Sequence, residues 1–186
     1  QQQLSTRYEL AIRTRGVRGR KALFAAASAA ATKGRSLFGF YGTPTAHLPF
    51  RTADGKFDPV QSIRDVETYL PEDLSENPTL ADMTEAAIRV LERNKNGFWL
   101  MVEAGDVDWA SHDNNIDNCI GAILSGTAAF DVITNWAERN DAWKDTLVIV
   151  AADHGHLFFL RDPTRFSNST TGIADPDTAL PVSSDR

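Results

Sequence analysis

Cysteine is nearly absent from this sequence: Cys119 stands alone among 186 residues. A single thiol excludes an internal disulfide framework and leaves the redox compartment open. Long apolar runs are lacking too. No stretch reaches the roughly 18 to 20 apolar residues of a membrane span. The alanine-rich "ALFAAASAAAT" is short and is followed at once by "KGR". Its weak apolar character argues for a helix of the folded domain over a signal peptide, despite the basic opening "RTRGVRGRK". Positive charge is in short supply: 19 Lys and Arg against 25 Asp and Glu give a formal net charge of -6. That balance offers no surface for nucleic acid, and suits solubility and cation binding.

What remains is a globular composition, 42% hydrophobic and 24% charged, in a length that suits one α/β unit with a sizeable core. Residues 1 to 20 read as polar and irregular, with "QQQ" as an untethered end. The spacing predicts a helix over 21–32 and a short strand in "SLFGFYG", stopped by Gly42 and Pro44. From "TPTAHLPFRTADGKFDP" to "YLPEDLSE" the Pro, Gly and Asp content reads as a long loop or irregular subdomain. "NPTLADMTEAAIRVLERNKNG" then carries the signals of a helix. Asn77 caps it, Pro78 enters its first turn, Leu80, Met83, Ala87 and Val90 or Leu91 form one face, and Asn96-Gly97 ends it.

"FWLMVE" has no polar residue before Glu103 and reads as a strand buried on both faces. A long amphipathic helix follows, with Ile116, Ile120, Ile123, Phe130 and Ile133 near helical spacing. "DTLVIVAAD" is read as a second buried strand. Helix, strand, helix, strand in that order predicts an α/β fold, a largely parallel sheet with helices on both faces. The expected division is an N-terminal, partly helical segment 1–34, a core portion 35–160 and an irregular tail 161–186.

Open α/β sheets bind ligands beyond the carboxyl ends of their strands. Two unusual clusters fall there: Glu103, Asp106, Asp108 and His112 after one strand, and Asp153, His154 and His156 after the next. Crowded carboxylates repel unless a cation or protons offset them. Carboxylate oxygen with imidazole nitrogen suits zinc, and an all-oxygen set suits magnesium. Each cluster alone is as easily a helix cap or a turn. Two on one sheet edge favour a metal site.

These residues resemble a known family, the alkaline phosphatases. Glu103, Asp108 five residues on and His112 four further on, followed by "TLVIVAADHGH", are similar to that family's ligand pattern. "SLFGFYG", "HLPF" and the helix leading into "GFWLMVE" look like the segment before it, so the resemblance covers about residues 35 to 160. It implies an alkaline-phosphatase-like fold, incomplete in this stretch. It also implies that Glu103 binds Mg2+, that Asp108 and His112 bind one Zn2+, and that Asp153 and His154 bind a second. His156 matches a histidine that supports a metal-ligating aspartate, with an ordinary surface histidine as the alternative. Trp109 stands near the phosphate and looks like the Trp of certain marine bacterial members; aromatic packing at the helix entry is the other reading. Asp106 matches no ligand and is expected in a solvated loop.

The implied activity is hydrolysis of phosphate monoesters through a phosphoserine intermediate, with two zinc ions about 4 Å apart at the phosphoryl group. The family's nucleophilic serine follows an aspartate. Ser28 follows Ala27 and is not nominated, and no histidine follows His156. The expectation is therefore an interior piece of a longer phosphatase, with little or no activity by itself. A related phosphodiesterase or sulfatase, or a non-catalytic metal-binding or structural relative, stands as the alternative. The resemblance further implies a homodimer and a periplasmic or secreted location. Asn168 heads a sequon, "NST", of a kind that chance often produces.

Overall fold

The computed structural model describes residues 7–44, 47–49, 51–57 and 69–159. The "QQQ" end, the 161–186 tail and Asn168 lie outside the described residues.

The chain opens with a strand that the polar N-terminal sequence conceals. β1 (Tyr8–Ile12) leads into α1 (Gly19–Lys33), and α1 returns to β2 (Ser36–Phe40), which pairs with β1 in parallel from Tyr8 opposite Ser36 to Ile12 opposite Phe40. Residues 1 to 20 are therefore not wholly irregular, and β1 of the N-terminal segment pairs with β2 of the expected core portion. α1 works as the crossover because its buried stripe Gly19, Leu23, Ala27 and Ala30 recurs at helical spacing with small side chains, so the helix settles close to the strands. It stops at Gly34, whose φ of 67° is the left-handed conformation that glycine adopts without cost to a Cβ.

Two helices follow. α2 (Pro71–Glu76) is a single short turn with an unusual burden, since its buried residues are Asp73 and Glu76. Both face Arg13 at the end of β1, at 2.7 Å and 3.1 Å, and the same guanidinium donates to the Gly42 carbonyl after β2 at 2.8 Å. The Gly16 N–H donates to Glu76 as well, at 2.6 Å. This network closes the end of the β1–α1–β2 unit. α3 (Leu80–Leu91) begins at Thr79, not at Asn77. Thr79 accepts from the Asp82 N–H while Asp82 accepts from the Thr79 N–H, a reciprocal box stronger than a single Asn cap. Asn77 instead accepts from the Gly42 N–H, so its polar side chain ties α2 to β2. The helix also ends at Leu91, with a turn before Gly97. α3 packs against both α1 and the later long helix, so it buries Thr84, Ala86 and Ile88 where one face had been expected.

The two expected central strands are not strands. Among the described residues, 98–103 and 145–153 form no ladder, and the only sheet is β1–β2. In the first of them the side chains nevertheless alternate as a strand's would. Phe98, Leu100 and Val102 are half-buried, while Trp99 is 79% and Met101 69% exposed. Leu147, at 83% exposed, and Ile149 are bare in the same way. Backbone in this conformation becomes a strand only when a neighbour offers its N–H and C=O groups. The helices cover one side of the apolar pattern, so burial on both faces is not observed.

α4 (Asp106–His112) and α5 (Ile116–Arg139) complete the order, and a single 3-10 turn spans Trp143–Asp145. α5 is long and apolar enough to cross a membrane by length and composition, an exception to the expectation drawn from the sequence. Here it packs along α3 and α4.

Gly121 of α5 lies against the backbone of Arg51 and Thr52, and a Cβ at that position would run into the Arg51 carbonyl. Gly121→Ala should therefore lower stability by about 1–3 kcal/mol, read as a shift in the urea midpoint. Glu76 titrates below the ordinary glutamate range, first because the Gly16 N–H donates to it and then because Arg13 is adjacent. A lowered carboxyl stabilises the fold above its unfolded value of about 4.3, and that contribution is lost as pH falls through the folded value. Glu76→Gln should thus be less stable at neutral pH and show a shallower loss of stability on acidification.

Candidate metal centre

The centre is assembled from two stretches joined by one asparagine. α4 is a short helix, so Asp108 and His112, four residues apart, share a face, and His112 Nε2 lies 3.5 Å from Asp108 Oδ2. The helix is locked to α5 through Ser111, whose hydroxyl donates to the Val107 carbonyl at 2.6 Å and meets the buried Cys119 thiol at 3.5 Å. Chain direction then reverses at Asn114, a non-glycine residue with φ of 53°. Asparagine tolerates this conformation. Its side chain makes two hydrogen bonds to Phe159, donating to the carbonyl at 3.1 Å and accepting from the N–H at 2.8 Å. That clamp brings residues 154–156 beside α4.

Three imidazoles then gather around one carboxylate. His156 Nε2 is 2.8 Å from Asp108 Oδ1, and His154 Nε2 is 3.4 Å from the same oxygen. The His112 and His156 rings meet edge to face at 4.5 Å, and the His154 and His156 rings lie 4.9 Å apart. The Asp108 carboxyl is held below the usual aspartate range, chiefly by the hydrogen bond from His156, with the charges of His112, His156 and His154 adding to it against the cost of desolvation. Ligand atoms of Asp108, His112 and His156 all lie within 4.8 Å of one another. One carboxylate oxygen and two imidazole nitrogens are a donor set of the kind zinc takes.

The other candidate residues stand apart from that cluster. Asp153 points outward, with its side chain 90% exposed and its carboxylate 3.7 Å from His154 Nε2. It also accepts from the His154 N–H at 3.0 Å, a turn contact. Glu103 and Trp109 line a separate cavity of about 300 Å³ together with His47, Leu48, Leu80, Asp106 and Ser125. Asp106 does not sit in a solvated loop. It is the first residue of α4, only 23% exposed at its side chain, and it hydrogen-bonds to His47. His47 is the site residue that sequence reasoning missed; "HLPF" was legible as family-like, but nothing in its spacing pointed toward α4. A larger cavity of about 650 Å³ between α1, β2 and α3 holds Arg35 and Arg93 but no carboxylate or histidine.

The model of one protein family, alkaline phosphatase, matches residues 55–178, which include the whole centre. The chain belongs to the alkaline phosphatase family. Among curated relatives, an alkaline phosphatase of Gadus morhua is 37% identical over 109 residues, covering 56% of this chain and 22% of that protein. A membrane-bound alkaline phosphatase of Bombyx mori is 39% identical over 92 residues, covering 50% of this chain and 16% of its own length. Alkaline phosphatase 4 of Bacillus subtilis is 41% identical over 80 residues, covering 43% of this chain and 17% of that enzyme. The chain thus spans less than a quarter of the length of each of these relatives.

Cobalt is a spectroscopic stand-in for zinc at such a site. Titration of this alkaline phosphatase relative with Co2+ should give tetrahedral visible bands, and Asp108→Asn or His112→Ala should weaken binding by at least about tenfold. Affinity should fall as the solution is acidified, because imidazole binds metal only when neutral.

Proposed function

We propose that the chain is the metal-binding portion of a phosphomonoester hydrolase. Membership of the alkaline phosphatase family supports a phosphatase-like hydrolase acting on phosphate esters. The observation that carries the finer reading is the meeting of Asp108, His112, His154 and His156 where a cation of zinc's preferences would be held. In this reading Asp108 and His112 ligate one Zn2+ together with a third ligand from elsewhere in the natural chain, Asp153 and His154 turn toward a second, and Glu103 serves Mg2+. Bound metal would polarise the phosphoryl oxygens and favour an oxygen nucleophile. His156 keeps Asp108 ionised and oriented by donating to it. Trp109, 62% exposed beside Asp108, flanks the space a phosphate would enter. The serine nucleophile comes from outside these residues, so the 186-residue chain alone is inactive. The working enzyme is an exported homodimer, periplasmic or secreted.

The complete natural chain, supplied with zinc and magnesium, should hydrolyse 4-nitrophenyl phosphate and lose that activity to a chelator. Asp108→Asn should reduce kcat/KM by about 100-fold or more. A preference for phosphodiesters or sulfate esters would move the reading to a related hydrolase, and metal binding without turnover of any ester would make the protein a non-catalytic relative.

A further inference from the structure

Trp109 has a neighbour that the metal centre does not use. The His47 ring lies 5.3 Å from the Trp109 ring at 88°, an edge-to-face contact. His47 is itself fixed. Its Nδ1 is hydrogen-bonded to Asp106 Oδ1, and its carbonyl accepts from the Thr43 N–H at 2.7 Å. Its side chain is only 14% exposed. Asp106 opens α4 and Trp109 sits one turn later on the same helix, so His47 bridges two positions three residues apart. The three residues line the same cavity as Glu103.

We infer that His47 is a positioning residue: tethered by Asp106, it holds the Trp109 indole at one orientation between the Asp108 cluster and the Glu103 cavity, and so sets affinity for the phosphate group of the ligand. An exposed tryptophan has several rotamers available, and a contact on one edge selects among them. A side chain already in place when the ligand arrives loses less entropy on binding. The inference rests on the phosphatase reading for the identity of the ligand, and on the His47–Trp109–Asp106 geometry for the coupling.

The test uses the complete natural chain loaded with zinc and magnesium, in a background where every tryptophan other than Trp109, Trp99, Trp136 and Trp143 included, is replaced by Phe, so that Trp109 reports alone. His47→Ala should lower Trp109 fluorescence anisotropy and raise both KM for 4-nitrophenyl phosphate and Ki for inorganic phosphate by about threefold to tenfold, the size of one edge-to-face contact. Metal content should stay unchanged and kcat should change by less than about twofold. His47→Phe keeps a ring edge at the contact and should recover most of the anisotropy. Unchanged anisotropy and Ki in His47→Ala would overturn the inference, as would a loss confined to kcat. If His47→Ala does not fold, Asp106→Ala is read by the same criteria. Absence of ester hydrolysis by the unmutated chain would sink the phosphatase reading, while anisotropy would still decide whether His47 positions Trp109.

Discussion

The two hydrogen bonds between Asn114 and Phe159 are the constraint on which the candidate metal centre depends. α4 brings only Asp108 and His112, and a carboxylate with one imidazole is too few for zinc. The remaining imidazoles lie more than forty residues later, on a segment without a strand ladder to fix it. An asparagine side chain that both donates to and accepts from one residue supplies what the ladder does not. Its left-handed backbone allows the side chain to face back along α4. With the clamp in place, His154 and His156 reach Asp108, and the lowered pKa of that carboxyl follows from their presence.

A second constraint sits where β1, β2 and α2 come together. Arg13 is shared by Asp73, Glu76 and the Gly42 carbonyl, so one guanidinium gathers the ends of β1, β2 and α2. Its planar fork suits this role better than an ammonium would. The network explains why α2 buries acids in place of leucines: Leu70 and Leu74 are the exposed residues there. Apolar patterning alone would have assigned the inward face to the wrong side chains.

Much of this was readable in the sequence, for definite reasons. α1, α3 and α5 declare themselves through spacing and turn residues, and β2 through the Gly and Pro that follow it. The acidic cluster was legible because Asp108 and His112 fall at helical spacing and because "ADHGH" follows a β-rich run. β1 was hidden, since "YELAI" carries Glu9 within a strand. Glu9 is satisfied by Lys33 at 3.0 Å and Arg35 at 2.9 Å, partners visible only once α1 has folded back. Asn77 looked like a cap because Asn usually is one, but Thr79 with Asp82 competes better. His47 could not be found at all, because its partners lie about sixty residues away, beyond α2 and α3, and no short-range spacing links them. The strands expected at 98–103 and 145–153 are missing for a different reason: local preference is present, but among the described residues no strand pairs with them.

The bare side chains of those two segments bear on how such a chain is made. Among the described residues, Trp99, Met101, Leu147 and Ile149 set large exposed apolar groups on backbone outside any ladder, the combination that recruits foreign strands. β1, α1 and β2 follow one another directly in the chain and pair by contacts close in sequence, the kind that forms fastest. Exposed apolar segments without a ladder are what holdase chaperones and proteases act on in a nascent chain. Both arms of the candidate centre follow directly on these segments, so whatever comes to lie against them also bears on the side chains that gather around Asp108.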